Sequence, residues 1–345
     1  MSALPLGTCA LGRAIDHAGL PLDGGAPLLG RRVALAPRVP LPNERAPVCA
    51  AFWTGVRVID GLLTFGRGAR VGIFGSPGAG KSTLLESIVD GCTADAVVVA
   101  LVGERGREAR RWIDRGSARS TIVCATSDRS PSERISAAAV AFAQAAALRD
   151  RGLHVLLVLD SLARTAGALR ERGIANGESV GRAGYPPSVF SEMARLIEVA
   201  GPLGGGSMTL VATVLNDGDD RDPVSDAARS LLDGHFVLSD RLAREGRFPA
   251  IDVPVSASRT MPAVVDAAHA RRAARVRAAI ALLDRIADAR ALGFDPSEAA
   301  ARRAVAAEER IERFLRQGAR AAGSSETVAA LADLADTLEV SDGHQ

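Results

Sequence analysis

Residues Gly75, Ser76, Pro77, Gly78, Ala79, Gly80, Lys81 and Ser82 fit the pattern G-x-x-x-x-G-K-[ST]. Glycines at these positions let the backbone turn its N–H groups inward around an anion. The lysine then reaches the outer phosphates of a nucleoside triphosphate, and the hydroxyl of Ser82, followed by Thr83, is placed to ligate magnesium. A glycine-rich turn that binds nothing would explain the glycines. It would not explain Lys-Ser at this spacing between the apolar run 71–74 and the helical pattern 83–89. Of the 42 lysine and arginine residues, Lys81 is the one lysine. It stands where a compact point charge on a flexible stem serves better than a forked guanidinium.

Two acids follow at the ends of apolar runs. Residues 155–159 lead into Asp160-Ser161, the way a magnesium-organising carboxylate is presented beside a phosphate loop. The run ending at Val102-Gly103 leads into Glu104-Arg105-Gly106-Arg107-Glu108. A glutamate there can polarise an attacking water, for which it must lie within hydrogen-bond reach, or it can belong to a solvated charge cluster. Spacing leaves both readings open.

These residues need a scaffold that brings strand ends together. Apolar, β-branched runs at 96–102, 121–125, 154–159 and 208–215 alternate with helical patterns such as 133–149 and 188–200. Strands buried on both faces and alternating with helices imply an α/β fold with a largely parallel sheet, whose ligands sit at the carboxyl ends of the strands. Beyond the core, Val276, Ile280, Leu283 and Ala287 fall at helical spacing within 264–291, residues 299–315 repeat the habit, and 323–345 holds an Ala/Leu-rich helix and a polar end. A C-terminal helical domain follows.

Composition limits the alternatives. At 345 residues with 47% hydrophobic side chains, the chain can bury a large core. No apolar run reaches the roughly 18 residues that span a bilayer, and the N-terminus lacks a secretory pattern, so a cytoplasmic protein is expected. Cys9, Cys49, Cys92 and Cys124 are scattered and read as small buried hydrophobes. A net charge of +2 gives no global case for nucleic acid. Nor does the cluster Arg271, Arg272, Arg275 and Arg277, which lacks an aromatic platform and reads as a solvated helix face or protein contact.

Taken jointly, several segments resemble a known family: the hexameric export ATPases of type III secretion systems, related to the catalytic subunits of rotary ATP synthases. They are Gly-Ser-Pro-Gly-Ala-Gly-Lys-Ser-Thr at 75–83, Gly-Glu-Arg-Gly-Arg-Glu at 103–108, Leu-Asp-Ser-Leu-Ala-Arg at 159–164 and Gly-Tyr-Pro-Pro-Ser-Val-Phe at 184–190. Further on come Thr-Val-Leu-Asn-Asp-Gly-Asp-Asp at 213–220, Leu-Leu-Asp-Gly-His at 231–235 and Pro-Ala-Ile-Asp-Val-Pro-Val-Ser-Ala-Ser-Arg at 249–259. The resemblance implies a RecA-like P-loop domain using ATP and Mg2+, followed by the helical domain. It implies that Glu104 activates water, that Arg105 orders the site, and that Phe248 packs on the adenine ring. Arg259 matches an arginine finger that one subunit inserts into its neighbour's site, a contribution of about 10³–10⁵ in rate.

It further implies a homohexamer that meets stator and central-stalk proteins, export substrates and their chaperones. Such a ring would lie at the cytoplasmic face of the inner membrane, held there only through the secretion apparatus. Residues 125–134 lean towards the injectisome ATPases rather than the flagellar ones. Relatives carry a small N-terminal β-barrel, but residues 10–25 here resemble the segment that follows it. The expected organisation is therefore 1–45 as the remnant after a missing barrel and linker, 46–262 as the ATPase core, and 263–345 as the helical domain with a mobile tail. Loss of the barrel weakens the expected ring, so a nucleotide-binding structural component with little turnover stands as the alternative, beside flagellar export.

Overall fold

The computed structural model describes residues 3–215, 222–294 and 296–339. Its backbone forms two compact units that interleave along the chain. The first draws on Met1–Cys49, Arg67–Ser76 and Ala94–His235, and the second on Ala50–Gly66, Pro77–Thr93 and Phe236–Gln345.

The first unit is built on six parallel strands: β1 (Arg13–Asp16), β2 (Arg70–Gly75), β3 (Ala96–Val102), β4 (Ser120–Ala125), β5 (His154–Asp160) and β6 (Gly206–Leu215). They lie in the order β2-β6-β5-β3-β4-β1. All seven residues of β3 and all six of β4 are buried, as expected of strands covered on both faces. Parallel register puts Gly75 opposite Leu215, Leu101 opposite Asp160 and Val102 opposite Ala125. The carboxyl ends of β2, β3, β4, β5 and β6 therefore share one edge, and the phosphate loop leaves β2 from that edge. The expected α/β architecture with a parallel sheet is borne out.

Two local features refine it. The helix expected from Glu133 begins at Pro131, because Ser130 and Glu133 cap each other: the Ser130 hydroxyl accepts from the Glu133 N–H (3.3 Å) and the Glu133 carboxylate accepts from the Ser130 N–H (2.8 Å). Alanines along this helix, Pro131–Arg149, let it approach the sheet closely, and Gln144, wholly buried among them, is satisfied by Gly7 and Thr121. Residues 13–16, read from sequence as the sequel to a barrel, supply strand β1, which pairs with β4 from Arg13↔Thr121 to Asp16↔Cys124.

In the second unit the helices are Lys81–Gly91, Ala267–Ala291, Ala299–Ala306, Glu308–Leu315 and Ser324–Thr337, with short turns at Arg57–Leu62, Asp240–Arg244 and Met261–Val264. The single helix expected from 264 is interrupted by extended Val265, and Asp266 caps the longer piece by accepting from the His269 N–H at 2.7 Å. Ala307 closes one helix and opens the next, where Glu308 and Glu309 suit a new N-terminus. Of the expected stripe, Val276 and Ile280 are buried, Leu283 is half-buried and Ala287 is exposed. Arg275 reaches the Ala335 carbonyl and Arg277 the Ser256 carbonyl, so two members of the basic cluster tie segments together. Cys92 and Cys124 are buried, but Cys49 is exposed and does not fit the packing reading. Among the described residues, no helix is long and apolar enough to cross a membrane.

Candidate functional site

In the first unit, the edge where the parallel strands end gathers a set of charged groups. Asp160 closes β5, is 7% exposed, and accepts a 2.6 Å hydrogen bond from the Thr213 hydroxyl on neighbouring β6. Glu104 follows β3 and is 6% exposed. The turn before it is made by Gly103, whose φ of 72° is left-handed; a Cβ there would stand 3.3 Å or less from the Arg164 side chain. Arg164 uses the room. Its Nε lies 3.1 Å from Glu104 Oε1, and one terminal nitrogen donates to the Gly103 carbonyl. The Ser161 hydroxyl accepts from the Arg164 N–H at 3.2 Å, starting the helix Leu162–Ala175 that carries this arginine. Behind it Arg134 donates to both carboxylate oxygens of Glu171, at 2.9 Å each.

These surroundings change the acidity of Glu104. Burial, and then the nearby Asp160 carboxylate, favour the protonated form; Arg164 opposes them, and Glu108 adds to the rise. The balance pushes Glu104 up to about 8. A carboxyl poised there, next to a second carboxylate, gains its charge readily once a cation neutralises that neighbour. Arg105, at the start of the helix Gly106–Asp114, is exposed and makes no hydrogen bond through its side chain to a capping position.

In the second unit, the helix Lys81–Gly91 follows the phosphate loop. Gly80 stands at its N-cap with φ 96° and has no side chain to cap the first turn. Gly78 has φ 89°, and a Cβ on it would meet nothing within 4 Å. Left-handed glycines, a helix N-terminus and open space beside Gly78 fit a polyphosphate. Lys81 and Ser82 are partly exposed at the head of the helix, and Thr83 is exposed. Phe248, 47% exposed, brings its ring to 4.0 Å from the Cβ position of Gly80. Arg259 is exposed between two anchored neighbours, since Ser258 donates to the Thr64 carbonyl at 2.7 Å and Thr260 accepts from the Gly66 N–H at 3.2 Å.

Sequence reasoning put Glu104 and Asp160 at the ends of apolar runs, and the structure places them at the ends of the paired strands β3 and β5. Sequence reasoning passed over Arg164 and Thr213. Arg164 lies four residues after Asp160, in the first turn of the helix that follows β5, and was available as a signal. Thr213 meets Asp160 through cross-strand register, which no local pattern reveals. Residues 216–220 of the resemblance, Asn-Asp-Gly-Asp-Asp, lie outside the described residues.

Comparison with known proteins supplies the context. The nucleotide-binding domain of the ATP synthase alpha/beta family matches residues 55–258. A type 3 secretion system ATPase of Sinorhizobium fredii is 46% identical over 332 residues, covering 92% of this chain and 72% of that protein. A flagellum-specific ATP synthase of Pseudomonas aeruginosa is 47% identical over 283 residues, covering 79% of this chain and 63% of its own. Among solved structures, the assembled ATPase EscN from the type III secretion system of enteropathogenic E. coli superposes with a TM-score of 0.92 at 40% identity, over 96% of this chain and 83% of that one. That protein has also been solved in complex with its central stalk.

Proposed function

The chain belongs to the ATP synthase alpha/beta family and is an ATPase, and from that premise we propose that it works in a ring of six identical chains that energises protein export through a type III secretion system. Hydrolysis in such a ring releases export substrates from their chaperones and unfolds them. Two things support the reading: the assembled relative of the same fold and the relatives named for type 3 secretion.

The residues divide the work. Backbone donors of 75–83, with Lys81, hold the triphosphate, and Phe248 offers its π face to the adenine, which needs only an aromatic ring. Ser82 and Asp160 hold magnesium, with the Asp160 carboxylate already fixed by Thr213. Held there, magnesium would supply positive charge to the phosphate oxygens. Glu104 takes the proton from the attacking water, Arg164 sets where its carboxylate points, and Arg105 orders the edge of the site. Arg259, exposed and held by its neighbours, serves the site of the adjoining chain. The ring meets stator and stalk proteins and lies at the cytoplasmic face of the inner membrane through them.

The observation that carries hydrolysis over mere binding is the buried Glu104 beside Asp160 with Arg164 in contact. Glu104→Gln keeps the shape and removes the base. Turnover should fall by about 10²–10⁴ while ATP binding persists. Unchanged turnover would leave the glutamate as a structural acid, and a chain that binds ATP without measurable turnover even as wild type would favour the structural-component reading. Flagellar export remains a second reading because relatives of both names match at 46% and 47% identity. Restoring motility rather than effector secretion to a strain lacking its own export ATPase would select it.

A further inference from the structure

Gln317 follows the helix Glu308–Leu315, far in sequence from the phosphate loop, yet within the second unit it joins three segments. Its backbone N–H donates to the Phe248 carbonyl at 2.9 Å. Its side chain is fully used: Oε1 accepts from the Arg57 N–H at 2.7 Å, while Nε2 donates to the carbonyls of Gly55 (2.7 Å) and Arg320 (2.8 Å). The Gly55 carbonyl also receives the Ala322 N–H at 2.9 Å.

Gly55 in turn abuts the far end of the phosphate-loop helix. A Cβ on Gly55 would lie 2.9 Å from the Gly91 Cα, and one on Gly91 would lie 2.7 Å from the Thr54 carbonyl and 3.0 Å from the Ala321 Cβ. Backbones this close leave no room for sliding. Arg57 strengthens the same junction by reaching the Arg313 carbonyl at 3.1 Å. Gln317 and Gly55 thus connect the Phe248 carbonyl to the far end of Lys81–Gly91, while the Phe248 ring stands 4.0 Å from where a Cβ on Gly80 would lie at the near end. Phe248 itself is nearly half exposed, so little packing on its ring fixes the loop that carries it.

We propose that Gln317 is a positioning residue for nucleotide recognition, holding Phe248 at the distance from the phosphate-loop helix that the adenine requires. The inference rests on the reading of Phe248 as the adenine-facing aromatic. The side-chain amide fixes residue 317 against Gly55, Arg57 and Arg320, and the backbone N–H of the residue so fixed holds the Phe248 carbonyl.

The test separates the base from the phosphates. Binding of magnesium-ATP and of magnesium-tripolyphosphate is measured on the full chain for wild type, Gln317→Ala, Phe248→Ala and the double variant. Gln317→Ala should weaken ATP about ten-fold and leave tripolyphosphate within two-fold, and the double variant should be no weaker than Phe248→Ala alone. Gln317→Met, which keeps the volume and removes the hydrogen bonds, should behave as the alanine does and stands in for it if that chain does not fold. Equal weakening of both ligands, or losses that multiply in the double variant, would overturn the positioning role while leaving Phe248 intact. If Phe248→Ala alone does not weaken ATP, the reading of the aromatic fails and the inference fails with it.

Discussion

Glu104 is a carboxyl under opposed influences. Burial and the Asp160 carboxylate keep its proton on, and the Arg164 guanidinium draws it off. If Glu104 is the base it acts only when deprotonated, so turnover should rise with pH and level off above the apparent pKa. Without a cation that value is pushed up to about 8. If magnesium sits on Asp160 it removes one of the raising charges, and the kinetic midpoint is then expected between the ordinary 4.5 and about 8. Arg164→Ala deletes the opposing cation. Its pH–rate profile should move to higher pH, with turnover reduced most in acid, as steady-state assays across pH would read. A midpoint that stays in place while turnover drops uniformly would mean that Arg164 acts without touching the acidity of Glu104. Lysine at 164 should restore part of the midpoint and less of the rate, because it supplies the charge but not the fork that also reaches the Gly103 carbonyl.

At the scale of elements, the helix Pro131–Arg149 shows how a mostly alanine surface can be made specific. Its side chains give close approach to the sheet but little to fix register. Gln144 does so, accepting from the Gly7 N–H at 2.6 Å and donating to the Gly7 carbonyl at 2.9 Å and the Thr121 hydroxyl at 3.1 Å. The residue is fully buried. Gln144→Leu keeps a similar volume but strands the Gly7 N–H, while the Gly7 carbonyl keeps its bond from the Ala10 N–H at 3.1 Å, a cost of about 1–3 kcal/mol. The denaturation midpoint should fall accordingly, and amide exchange should quicken around Gly7. A loss below about 0.5 kcal/mol would show that water takes over the vacated bonds. A second element is stapled electrostatically. Asp23 accepts from Arg13 at 2.8 and 3.0 Å and from the Ala14 and Gly25 N–H groups, which holds its carboxyl well below the usual range. The folded value lies below the unfolded one, so this stabilisation is present above about pH 4 and is lost as pH falls towards the folded value. Asp23→Asn should therefore lower stability at pH 7 by about 1 kcal/mol and flatten the loss of stability in acid, as melts at pH 7 and pH 3 would register.

On the scale of the molecule, the candidate machinery is dealt between two interleaved units. Glu104, Asp160 and Arg164 belong to one, while Lys81, Ser82, Phe248 and Arg259 belong to the other. If Arg259 completes the neighbouring chain's site, assembly governs turnover. Specific activity should climb with protein concentration, and Arg259→Ala should cost about 10³ in rate. Mixing inactive Arg259→Ala chains with inactive Glu104→Gln chains should recover activity, because each Glu104 of the first can then be served by an Arg259 of the second. No recovery, or an Arg259→Ala chain as active as wild type, would exclude the shared site.

How much of this could be read from residue order depends on the range of the interaction. The phosphate loop, the strand-end acids and the alternation of strands with helices are local patterns, each set by backbone freedom, charge and burial within a few residues. Single residues fix them, as with Gly80 and Lys81 or Val102 and Glu104. By itself the sequence also determined the family, because seven separated segments matched together. Tertiary structure alone decided that residues 13–16 complete the sheet beside β4, that Thr213 holds Asp160, that Arg164 turns back onto Glu104, and that Gln317 reaches Phe248. These contacts come from strand register and helix docking, where partners can lie 262 residues apart, as Gln317 and Gly55 do. Their free energy comes from the burial and closure of the whole fold, and no window along the chain contains it.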